Sequence, residues 1–525
     1  MKHLKKVLAI ALALSLMLLC VSALATEQVK DGGKVGGTII AQLSGDPSSW
    51  NPDYKSDDNL WPIAQNLFNR LIKLATGDGI DMDLAESYEF SEDGMQLTFH
   101  LHEGVKWHDG VDFTSYDVKW TYDTMKAEAW FKSSSLANVD SIECPDDNTV
   151  VFNLKAPDVT LIASLAWYGT FILPAHIYEG TDVSTNEAAM SHPIGTGPFK
   201  FDSYETGVSV TIVRNEDFWG DKPLADKVIY QIVADQDTAY QSFLNGEADY
   251  VKSVPTANVD DLDDDPDYRV FQQLYQNRTY ITFNFADPEF SKVEVRQAFA
   301  KAVDREGLYK RVGGAGQMAE YFISPLQKDF VDETYKMPDR DLEGAMALLE
   351  AAGYTKGDDG FYLHTTMDVF EDGNFADMAQ IIKANVAEAG IDLTINLLEY
   401  SAWSEKVKNN KNFTVTMLAG YQGPDVSGIN NRVYSNGATN IGGYKSEEMD
   451  AAIEAANVCA DREKRAEYLS TVQRLMSEDM PMVLLLENGT KYPVKNYLVG
   501  SPYDVPEKAA SNELTYLGFS ETVAP

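Results

Sequence analysis

The stretch EGVKWHDGVDFTSYDVKW, residues 103–120, sets a His-Asp pair between two tryptophans and follows it with two further carboxylates, Asp112 and Asp117. Such a pair serves as a catalytic base, a metal site or a sugar platform, and equally as a turn feeding a helix. Gly104 and Gly110 bracket it, and Asp109-Gly110 is a strong tight-turn dipeptide. Thr114 to Asp117 have the spacing of a capping box, whose hydroxyl and carboxylate satisfy orphan amides at a helix start. Val118, Tyr122 and Met125 then recur at the spacing of one helix face. A catalytic histidine needs a nucleophile or acid partner with a defined role, and none is recognisable here. His108 and Asp109 are therefore read as turn chemistry.

Just upstream, MQLTFHLHEGV (95–105) alternates Leu97, Phe99 and Leu101, the pattern of a half-buried strand. His100 and His102 share one strand face, with His108 nearby, but the chain contains neither C-x-x-C nor H-E-x-x-H. No metal is expected. DRDLEGAMALLE (339–350) has calcium-loop spacing, yet Ala347 offers no oxygen and the apolar residues repeat as in a surface helix ending at Gly353. GTIIAQL (37–43) fits a buried first strand, and NLWPIAQNLFNRLIKL (59–74) has helical spacing. VEVRQAFAKAVDREGLYKRV (293–312) also places its apolar residues on one helix face. Residues 375–400 read as helix, Gly390 cap and strand, an α/β unit. There is no G-x-S-x-G, Walker A or G-x-G-x-x-G sequence and no internal repeat. A secreted hydrolase is therefore the alternative from another class, with no signature in its favour.

The 525 residues, 44% hydrophobic and rich in Tyr and Phe, exceed one domain of usual size and can bury a large core. Lys2, Lys5 and Lys6 precede an apolar run, Val7 to Leu19, and the A-x-A site Ala23-Leu24-Ala25 follows, an export leader. Cys20 offers lipid anchoring as the alternative to cleavage after Ala25, although Met17-Leu18-Leu19 lacks the small residue wanted before such a cysteine. Losing three lysines and no acids with the leader takes the net charge from −38 to −41. So acidic a chain repels nucleic acid and anionic lipid and favours cationic or amine-bearing ligands weakly. After cleavage only Cys144 and Cys459 remain, so no disulfide framework is expected.

Taken in order, several segments resemble family 5 extracellular solute-binding proteins, the peptide, nickel and oligosaccharide receptors of ABC importers. LAESYEFSEDGMQLTFHLHEGVKWHDGVDFTSYDVKWTYD resembles the family's S-x-D-G…F-x-L-R-x-G-V-K-F-H-D-G…T-A-x-D-V pattern. PIGTGPFKFDSYETGVSVTIVRNEDFWG (193–220), FLNGEADY (243–250) and FNFADPEFSKVEVRQAFAKAVDRE (283–306) continue it, as do NIGGYKSEEMDAAIEAA and EDMPMVLLLEN. The match covers nearly all of the mature chain.

The resemblance implies an α/β, class II periplasmic-binding-protein-like fold: two α/β lobes joined by a two-segment hinge, plus a family-specific third domain. The expected division is 1–25 signal peptide, 26–37 tether, 38–66 with 190–275 and 487–525 as lobe 1, 67–189 as the extra domain, and 276–486 as lobe 2. The expected crossovers are near Leu274–Phe283 and Met482–Asn488. The implied function is an extracytoplasmic receptor, without catalysis or cofactor, that closes on an oligopeptide and delivers it to ABC permease subunits. An oligosaccharide is the alternative ligand. The protein is expected to be exported, periplasmic or at the cell surface, and monomeric. In peptide-binding relatives an acid in a G-W-x-G-D-type segment meets the peptide amino terminus. Here LAGYQGPDVSGINNRVYSNG (418–437) puts Tyr421 at the aromatic position and Pro424 in the acid slot, with Asp425 one residue later. Asp425 is thus the candidate ammonium partner or a loop aspartate, and Asn430, Asn431 and Arg432 are candidates for a peptide carboxylate or sugar hydroxyls. Trp403 and Trp50 are candidate stacking walls, with core packing as the other reading of Trp403.

Overall fold

The computed structural model describes residues 33–74, 79–251, 260–371, 373–423, 425–502, 504 and 514–523. The expected leader with Cys20, most of the tether, and Pro424 lie outside the described residues. The chain folds as two compact units. Unit 1 comprises described residues of Met1–Lys155, Leu165–Phe271 and Tyr492–Pro525; unit 2 comprises Ala156–Ser164 and Gln272–Lys491.

Unit 1 supplies β1 (Gly33–Lys34), β2 (Thr38–Leu43), β3 (Ile72–Leu74), β4 (Ile80–Met82), β5 (Ala85–Phe90) and β6 (Gln96–Leu101). It continues with β7 (Val139–Asp146), β8 (Thr149–Leu154), β9 (Phe199–Glu205), β10 (Ser209–Arg214) and β11 (Lys227–Ile232). β12 (Tyr268–Phe283) carries the chain into unit 2, which supplies β13 (Gln317–Met318), β14 (Leu363–Phe370), β15 (Ile391–Leu398) and β16 (Val415–Tyr421). β17 (Met482–Lys495) carries it back, and β18 (Leu498–Val499) and β19 (Gly518–Ser520) follow.

Unit 1 holds two four-stranded sheets, ordered β2-β11-β10-β9 and β5-β6-β8-β7. In the second, Leu97, Phe99 and Leu101 of β6 are buried, as their alternation predicts. Unit 2 is built on a mixed six-stranded sheet, β13-β17-β12-β16-β14-β15, in which β14 and β15 run parallel across the helix Phe375–Glu388. Gly390 stops that helix with a φ of 81°, where a side chain would be strained. Helices and strands mix in both units, and the fold is α/β.

The helical spacing of residues 59–74 is only half realised. The helix runs Trp61–Leu67, and Ile72–Leu74 is a strand. The Leu67 carbonyl, which a continuing helix would give to the Leu71 amide, instead accepts the Gly197 N–H at 2.9 Å. Asp83 then fixes the turn by accepting the Arg70 N–H at 2.8 Å and the Asn69 amide at 2.7 Å. Residues 293–312 likewise divide into Val293–Ala302 and Arg305–Val312, because Asp304 caps the second helix through the Gly307 N–H at 2.9 Å. In the calcium-like stretch, the Asp341 carboxylate caps the helix Leu342–Ala351 through the Gly344 N–H at 2.8 Å.

Candidate functional site

His108 and Asp109 turn away from one another's chemistry. The His108 Nδ1 accepts the Gly195 N–H at 3.1 Å, its Nε2 lies 3.1 Å from the Gly197 carbonyl oxygen, and its backbone N–H donates to the Gly195 carbonyl at 2.9 Å. Neither glycine has room for a Cβ, which would fall 1.9 Å from the Leu67 oxygen at Gly195 and 2.7 Å from it at Gly197. Asp109 instead pairs with His176 at 2.8 Å. Asp117 accepts N–H groups from Thr114 at 3.0 Å and Ala175 at 2.9 Å, and burial pushes its carboxyl up. His102 pairs with Glu86 at 3.1 Å. Among the described residues no group of three or more His, Cys, Asp or Glu is arranged to hold a metal ion.

Unit 2 gathers five of the expected ligand residues around the end of β16: Tyr421, Asp425, Asn430, Asn431 and Arg432. Asp425 is not a free acid there: Arg465 grips it with both terminal nitrogens, at 2.9 and 2.7 Å, and the Ser427 N–H donates to it at 2.9 Å. Both members are largely buried, so the pair fixes the loop. Arg432 donates to the Tyr280 hydroxyl at 3.0 Å, the Gly428 carbonyl at 2.9 Å and the Tyr421 carbonyl at 3.1 Å. The Arg432 Nη2 also lies 3.2 Å from where a Gly420 Cβ would stand, which places the guanidinium over the last turns of the strand. Tyr421 is exposed, and Asn431 spends its side-chain oxygen on the Ala438 N–H at 2.9 Å. Asn430 is buried with neither side-chain polar atom partnered, and the Oε1 of nearby Gln422 is unpartnered too.

The two tryptophans lie in packed interiors. Trp403 is 1% exposed and donates to the Thr416 hydroxyl at 3.1 Å, with Phe370 against its ring. Trp50 is 2% exposed, and Phe201 and Tyr204 meet it edge-on. Unit 1 separately carries a cavity of about 360 Å³ lined by Gln42, Ser44, Asp58, Asn59 and Gln236, with Val251 among its apolar walls. Gln42 and Asp58 escape a motif reading, although a lone glutamine inside the apolar run TIIAQL is a signal in itself.

Two α/β units joined through β12 and β17 are the architecture on which these residues sit. The chain belongs to the bacterial extracellular solute-binding proteins of family 5, whose middle-region profile matches residues 79–440. It is 27% identical over 524 residues to the dipeptide-binding protein of Escherichia coli (strain K12), covering 94% of this chain and 96% of that one. It is 28% identical over 448 residues to heme-binding protein A of Haemophilus influenzae, covering 80% and 81%. The fold is shared with the ABC transporter substrate-binding protein CtaP of Listeria monocytogenes, at a TM-score of 0.81 and 24% identity, over 93% of this chain and all of that one. Members of the family are extracytoplasmic solute-binding proteins of ABC transporters, not enzymes. No helix among the described residues is long and apolar enough to cross a membrane.

Proposed function

We propose that this protein is the receptor of an ABC importer for oligopeptides, working as a monomer that closes its lobes on the ligand and delivers it to the permease. The observation that carries the reading is the open side of β16. β14 pairs with it only at Val415 and Thr416, whereas β12 accompanies it from Val415 to Tyr421. Among the described residues no strand lies against Ala419 and Gly420 on the side away from β12. An extended peptide adds to such an edge as a further strand, drawing affinity from its main chain and selectivity from alternate side chains. The Arg432 guanidinium beside Gly420 supplies a cation for a ligand carboxylate, with Tyr421 and Asn430 bordering the same stretch. Asp425 holds the loop through Arg465.

The name of the dipeptide-binding relative supports the same ligand class. Burial of Trp50 removes the ring face that an oligosaccharide would use. Thermal-shift measurement with a peptide library, cello- and manno-oligosaccharides, and haem separates the ligand classes. Peptides are expected to raise the melting temperature and to be recovered intact. Stabilisation by sugar or haem alone, or cleavage of any substrate, overturns the reading.

A further inference from the structure

Gln42 breaks the apolar run of β2 and is 7% exposed, yet neither its Oε1 nor its Nε2 has a hydrogen-bond partner. Leaving a buried amide of this kind unpaired is costly, so the site is built to receive a partner. A main-chain residue in extended conformation satisfies both atoms together, because its own N–H and C=O point the same way and present a donor and an acceptor side by side. Gln42 lines the unit 1 cavity, whose 360 Å³ suits a small polar ligand or one residue of a larger one.

The cavity also has a defined sign. Among the described residues Asp58 is the only charged residue lining it. Neighbouring acids are already engaged. Asp57 accepts the N–H groups of Ser48, Asn59 and Leu60, at 2.7, 2.9 and 3.1 Å. Asp46 takes the Tyr204 hydroxyl and the Gly207 N–H, both at 2.8 Å. Asp235 caps the helix Gln236–Leu244 through the Thr238 N–H at 2.8 Å. Asp58 alone of these four is exposed with no hydrogen bond or ion pair among the described residues. The helix amino terminus brings only about half a positive charge, which the Asp235 carboxylate outweighs. A cation is favoured at this rim.

We propose that this cavity takes the amino-terminal end of a peptide ligand, with Asp58 facing the α-ammonium and Gln42 pairing with the N–H and C=O of the second residue. This rests on the peptide reading of the protein. It moves amine recognition away from Asp425, whose oxygens are spent on Arg465, to a carboxylate that no other described residue engages. Among the described residues Asp58 has no partner, and its side chain is exposed, so its replacement leaves the fold intact.

Equilibrium dialysis of the mature protein, Asp58→Asn and Gln42→Met against a mixed pentapeptide library and its N-acetylated twin tests the site. Acetylation is expected to lower capture by the wild-type protein about tenfold, equivalent to ~1.4 kcal/mol. Asp58→Asn is expected to capture both libraries equally, and Gln42→Met to capture both more weakly than wild type. Two results overturn the site while sparing the peptide reading: a full acetylation penalty in Asp58→Asn, or none in wild type. Capture of neither library by the wild-type protein overturns the peptide reading and this site with it.

Discussion

His108 shows how one side chain joins two stretches that the sequence keeps far apart. Its neutral form completes the arrangement at Gly195 and Gly197, because Nδ1 must accept while Nε2–H donates. A proton on Nδ1 would face the Gly195 N–H. Burial accordingly lowers the imidazole from 6.5 to about 4, with the Gly197 carbonyl opposing. Because the folded value lies below the unfolded one, the stabilisation is complete above pH 6.5 and is lost as pH falls toward 4. Urea unfolding of His108→Gln across pH 4 to 7.5 is expected to show a shallower acid-side loss than wild type. Equal slopes for the two proteins would remove His108 from the pH response. In the sequence the turn around His108 was legible from Asp109-Gly110, but its partners, some 87 residues on, were not. Local propensity marks turns, and only the tertiary fold chooses what a ring nitrogen meets.

At the scale of elements, legibility followed the same divide. The capping box of the helix Ser115–Ala127 and the cap on Leu342–Ala351 rest on neighbours within a few residues, and the alternation of β6 marks its buried face even though its partner β8 lies some fifty residues on. The break after Leu67 rests on Gly197, and the sequence near Leu67 gives no sign of it. The candidate site divides likewise. The segment 418–437 stood out by its resemblance to relatives, but the Arg465 grip on Asp425 comes from another helix. The two crossing strands hold a comparable long-range contact. Arg278 on β12 is 1% exposed and pairs with Glu487 on β17, which is 0% exposed, through Nε at 2.7 Å. Its terminal nitrogens also donate to the carbonyls of Phe322 and Tyr321. Ser324 donates to the second Glu487 oxygen at 3.1 Å. Arg278→Met strands a buried carboxylate and is expected to destabilise the protein by about 3–5 kcal/mol in urea unfolding. Adding Glu487→Leu removes the orphaned charge and is expected to recover much of that loss. A double variant no more stable than the single one would show that the charges do not act as a pair.

Across the whole molecule the dominant property is the excess of 81 acids over 43 bases. Several half-buried acids hold local structure: Asp46, Asp332 and Asp341 all accept hydrogen bonds that lower their carboxyls. Each is therefore worth most when ionised, with stability present above its unfolded value and lost as pH falls. Their summed charge acts in the opposite direction, since compaction brings like charges together and unfolding separates them. Acidification thus relieves repulsion while dismantling caps, so pH alone does not isolate the repulsion. Salt does isolate it at fixed pH. Raising ionic strength from about 0.01 to 0.15 M shortens the screening length from about 30 to 8 Å, which suppresses long-range repulsion more than contacts within a few ångströms. At pH 7.5, where caps and His108 are in their stabilising forms, the melting temperature of the protein is expected to rise with sodium chloride over this range. Scanning calorimetry at the two salt concentrations is the measurement. A fall in melting temperature would mean that close ion pairs such as Lys301–Asp341, rather than overall repulsion, govern the electrostatic part of its stability.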